Sequence, residues 1–91
     1  MHPPSDAFVE LLAGKTPEAM YDALHAGRYL SSAALASPPK VLESIKTVML
    51  TRRQRTLAPP RKVEWVAQEL AASGFLNDDG LRLYQGEEGA L

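Results

Sequence analysis

The chain contains no cysteine and two histidines in 91 residues. Without thiols there is neither a disulfide framework nor a thiolate metal site, and the common zinc-binding signatures are excluded with them. No apolar run approaches the length of a membrane span. The N-terminus, MHPPSDAF, carries no basic segment followed by an apolar one, so nothing reads as a secretion signal. A cytoplasmic location and no membrane partner are the resulting expectations. Net charge is also lacking: it is −1 at pH 7. The chain as a whole therefore exerts no pull on polyanions, and any such attraction has to be local.

Catalytic groupings are equally scarce. His2 is terminal, and His25 stands near the end of an expected helix, where a cation would suit the helix dipole. Ser31 and Ser32 follow it closely, but no third group is indicated for a triad, and a helix cap is their simpler role. Asp78-Asp79-Gly80 lacks the spacing and the distal glutamate of a calcium loop. No glycine pattern resembles a phosphate loop. The expectation is a non-enzymatic protein with no cofactor.

What the sequence does have is proline at helix starts and charge sorted by position. Seven prolines stand at Pro3-Pro4, Pro17, Pro38-Pro39 and Pro59-Pro60. Proline suits the first helical turn because its missing N–H would be unpaired there anyway. The first helix is expected from Ser5 to Ala13, ended by Gly14. Thr16-Pro17-Glu18 opens a second that stops at Gly27. A short third covers Ala33 to Ala36. The fourth starts at Ser37-Pro38-Pro39 and continues to about Arg55, with Val41, Leu42, Ile45, Val48 and Met49 on one face. The fifth runs from Pro60 to Ser73, lined by Val63, Val66, Ala67 and Leu70, with Gly74 at its exit. Ile45, Val48, Met49, Val66 and Leu70 are the expected core.

After Gly74, FLNDDGLRLY alternates in the manner of a β-hairpin. Asp79-Gly80 forms the turn, Leu76 faces Leu83, and Phe75 faces Tyr84. The fold class expected is mainly α, about five short helices with a C-terminal β-hairpin; a helical bundle without the hairpin is the alternative. All 91 residues form one small domain, with residues 85–91 a frayed, Gly- and Glu-rich tail. No internal repeat is apparent.

Charge supplies the candidate site. Residues 40–62 hold Lys40, Lys46, Arg52, Arg53, Arg55, Arg61 and Lys62 against the single acid Glu43, a formal charge of +6, between flanks of −2 and −5. Arg52, Arg53 and Arg55 complement the negative end of the fourth helix. Arg61 and Lys62 open the fifth helix, where cations oppose the dipole but an anion such as phosphate would be welcome. Trp65 lies nearly opposite Val63 and Leu70, beside Gln68. It either covers a second layer of the fold or is an exposed aromatic of the kind that anchors interfaces. The candidate binding residues are Lys46, Arg52, Arg53, Arg55, Arg61, Lys62, Trp65 and Gln68.

The stretch EWVAQELAASGFLNDDGLRLY resembles the end of a winged helix-turn-helix domain, with Val63–Ser73 matching the recognition helix, Gly74 the exit and Phe75–Tyr84 the wing. That resemblance implies nucleic-acid binding through the fifth helix and wing. Glu64, Glu69, Asp78 and Asp79 would repel phosphates, which suits protein docking better. The expectation is a small binding module that docks on a protein partner as an adaptor, regulator or inhibitor. A winged-helix-like nucleic-acid binder using residues 52–62 is the alternative, and a homodimer stays open.

Overall fold

The computed structural model describes residues 3–50 and 59–86, with residues 59–61 as backbone only. Six helices stand among them: α1 (Asp6–Leu12), α2 (Pro17–Ala26), α3 (Ser32–Ala36), α4 (Pro38–Leu50), α5 (Pro59–Ala72) and α6 (Asp78–Gln85). Four begin at a side chain that accepts one of the otherwise unpaired first-turn amides. Ser5 Oγ accepts from Phe8 N at 3.1 Å, and Thr16 Oγ1 from Ala19 N at 3.1 Å. Ser31 Oγ accepts from Ala34 N at 3.2 Å, and Asn77 Oδ1 from Gly80 N at 2.8 Å.

α4 and α5 pack together at the centre. α1 lies on α5, α2 on α4, α3 on the start of this arrangement through α4, and α6 on α1. The apolar stripes of these helices meet in one core, in which Phe8, Leu12, Met20, Leu24, Val41, Ile45, Val66 and Leu70 are fully buried. Each such side chain contributes on the order of 1.5–3 kcal/mol by leaving water. Of the expected core, Ile45, Val48, Val66 and Leu70 are buried and Met49 is half-buried against them.

The expected hairpin is not formed: residues 78–85 are helical, and no strand occurs among the described residues. Asn77-Asp78-Asp79-Gly80 carries two competing local signals. Asp-Gly favours a tight turn, whereas Asn followed by two acids favours a helix start. The helix prevails because Asn77 caps it, and because Asp78 and Asp79 lie at the positive end of its dipole. It also puts Gly80, Leu83 and Tyr84 on one buried face, with Tyr84 set edge-on to Phe8 at 5.7 Å. A lone two-stranded hairpin is marginally stable in water. Gln85 closes α6 and Gly86 caps it in the left-handed conformation, while the remainder of the expected tail lies outside the described residues.

Leu76 pairs with Leu30 instead, in an isolated antiparallel bridge. This pairing joins two equivalent connectors. Leu24, Arg28, Tyr29, Leu30, Ser31 and Leu35 correspond, position for position, to Leu70, Gly74, Phe75, Leu76, Asn77 and Leu81. In the first unit Tyr29 N donates to Leu24 O and Arg28 N to His25 O; in the second Phe75 N donates to Leu70 O and Gly74 N to Ala71 O. Both helices therefore end in the same two-bond motif around a left-handed residue, Arg28 (φ 61°) or Gly74 (φ 75°). The crossing bonds are reciprocal as well. Ser31 N donates to Phe75 O and Asn77 N to Tyr29 O, each at 2.9 Å. Ser31 Oγ donates to Gly74 O at 2.7 Å, and Asn77 Nδ2 to Arg28 O at 2.6 Å. The chain thus contains two copies of one helix–connector–helix unit, clamped face to face by an approximate local two-fold.

Candidate functional site

α5 has two faces of different kind. Val63, Val66, Ala67 and Leu70 are buried against the core. On the opposite side Trp65 is 45% exposed, followed one and two turns on by half-buried Gln68 and exposed Ala72. Among the described residues, therefore, no second layer roofs Trp65. Half-buried Glu64 and exposed Glu69 flank it, and Ser73 Oγ donates to Glu69 Oε2 at 2.8 Å, fixing that carboxylate near the helix end. Lys62 is half-buried at the start of the helix, one turn before Trp65. Arg61 lies in the same first turn, with its side chain outside the described set.

The other candidates do not join this face in the described residues. Lys46 is exposed on α4 and reaches α2, where its Nζ meets Glu18 Oε2 at 3.1 Å. Glu18 is held below the usual carboxylate range, first by its own backbone amide at the start of α2 and then by the Lys46 ammonium. Both side chains are about half-exposed, so the pair contributes little to stability. Beside it a shallow open groove is lined by Glu43, Lys46, Thr47 and Leu50, with Leu50 64% exposed at the end of α4. Arg52, Arg53 and Arg55 lie outside the described residues, and so does the expected meeting of the two helix ends.

His25 stacks on Tyr21 with ring centroids 6.0 Å apart, and Ser31 is committed to its cap and to Gly74 O. Among the described residues no cluster of metal-ligating side chains occurs, and no helix is long and apolar enough to cross a membrane.

Three structurally important residues were hidden in the sequence. Asn77 read as part of the expected hairpin, Gly80 as a residue of its turn, and Ser31 as a cap alone. The signal for Asn77 was Asn-Asp-Asp at a helix start; what marks Gly80 is the close approach of a neighbouring backbone, which the sequence does not announce. A Cβ built on Gly80 would stand 2.5 Å from Tyr29 O. Comparison of the chain with family models, with curated proteins and with solved structures found no match.

Proposed function

We propose that the protein is a small non-enzymatic docking module, which presents the outer face of α5 to a protein partner as an adaptor, regulator or inhibitor. The observation that carries this reading is the exposed Trp65 on a helix whose opposite face is fully buried. Tryptophan is large enough that leaving it half in water is costly, and at interfaces it is among the residues most often dominating affinity. Trp65, Gln68 and Ala72 recur at the spacing by which a helix seats itself in a groove. Glu64 and Glu69 on either side define the partner's chemistry: an apolar slot for the indole, with cations at its rim.

The nucleic-acid reading keeps less support. Residues 78–84 of the expected wing are helical, Lys46 is paired with Glu18, and only Lys62 of the described cations adjoins Trp65. The deciding experiment is capture from the native host with wild-type protein and Trp65→Ala, followed by direct titration of the protein recovered. Trp65→Ala is expected to leave the melting temperature nearly unchanged and to weaken binding by about 2 kcal/mol or more. Equal binding by the variant would contradict the proposal. Retardation of duplex DNA or RNA at low salt, lost in Arg53→Glu plus Arg61→Glu, would favour nucleic acid instead.

A further inference from the structure

α6 is attached in an unusual way for a helix that contributes to the core. Its main helical neighbour is α1. Its two ends are held by polar contacts to segments distant in the chain. At its start Asn77 is built into the clamp, donating to Arg28 O and Tyr29 O. At its end Ser5 holds it: Ser5 N donates to Tyr84 O at 2.8 Å, and Ser5 Oγ donates to Leu83 O at 2.6 Å. The same hydroxyl accepts from Phe8 N. One side chain thus joins the positive end of α1 to the negative end of α6. Between these anchors α6 has little helical stability of its own. It is eight residues long with Gly80 inside it, well under the roughly 12–15 residues at which even good isolated helices become marginal in water.

We propose that α6 is a releasable strap, hinged at the Leu30–Leu76 clamp and latched by Ser5. Opening the latch swings Leu83 and Tyr84 away from α1 and uncovers Phe8, while the α4–α5 centre stays packed. The inference does not depend on the reading of Trp65, which lies on α5 outside this contact.

Ser5→Asp separates the two roles of the hydroxyl. Aspartate caps a helix as well as serine does, so α1 keeps its start. It has no proton to give Leu83 O, and its charge stands at the negative end of α6. Hydrogen exchange on the full chain is the readout. In Ser5→Asp the amides of Leu81–Gln85 are expected to exchange about tenfold faster or more than in wild type, with those of Val66–Leu70 changed less than about twofold. Unchanged protection of α6, or equal acceleration in all helices, would overturn the proposal. Unaltered protein provides an independent check: the α6 amides are expected to exchange at least about tenfold faster than those of Val66–Leu70 through local opening. A common rate for both sets would overturn the strap whatever the variant does.

Discussion

The two helix–connector–helix units do the same mechanical job with different residues. Each ends its long helix on a left-handed residue, crosses through an aromatic and a leucine, and starts a short helix at a polar cap that also bonds the opposite connector. In the second unit the left-handed position is Gly74; in the first it is Arg28, whose Cβ makes that conformation cost roughly 1–2 kcal/mol. Caps differ as well, Ser31 against Asn77, and so do the buried residues three positions after them, Ala34 and Gly80, the latter close to Tyr29 O of the facing connector. What is repeated is a set of backbone duties: an unpaired carbonyl to satisfy, an amide to cap, a close approach to permit. Several side chains meet each duty, so the duplication is plain in the hydrogen bonds and nearly invisible in the residues.

The largest effects should come where the units are the same. Leu24 and Leu70 are equivalent and fully buried. Alanine at either is expected to cost roughly 2–5 kcal/mol in urea denaturation, and a loss at one without the other would break the equivalence. Next comes a reversal of sign. Glycine to alanine inside a helix ordinarily gains up to about 1 kcal/mol. Gly80→Ala is expected to lose roughly 1–3 kcal/mol instead, because its new methyl would meet the Tyr29 carbonyl. A stabilised variant would show that this connector does not press on α6. The smallest pair sharpens the one position at which the units disagree. Arg28→Gly is expected to stabilise by a few tenths to about 1 kcal/mol, and Gly74→Ala, which meets no neighbour but keeps the strained φ, to destabilise by about 1–2 kcal/mol. Equal signs for the two would remove the left-handed motif from the account.

Helix starts were legible because their signals are local and chemical. Ser5, Thr16-Pro17 and Pro38-Pro39 mark real beginnings, and the 3.6-residue spacing on α4 and α5 picked out Ile45, Val48, Val66 and Leu70. Trp65 was legible in the same way, since its phase on α5 placed it away from the core, although whether a further layer covered it could be settled only by the fold. The C-terminal helix was missed because Asp79-Gly80 is a good turn in isolation. What decides against the turn is non-local: Tyr29 O beside Gly80, Phe8 beside Tyr84, and Ser5 bonded to Leu83 and Tyr84. The clamp was illegible for a related reason, since its partners are far apart in the chain and its bonds use main-chain atoms that every residue has. Of the candidate site, Lys46 looked like a member of the basic band and is tied to Glu18 on α2, an ion pair between separate helices that no sequence spacing announces.

The proposed function rests on the outer face of α5 meeting solvent. Trp65 is the single tryptophan of the chain, so its fluorescence reports on that face alone. Emission close to that of free tryptophan, strongly quenched by iodide in the folded protein, is the predicted result. A blue-shifted spectrum that resists iodide until the protein is unfolded would place Trp65 inside the protein and contradict the account.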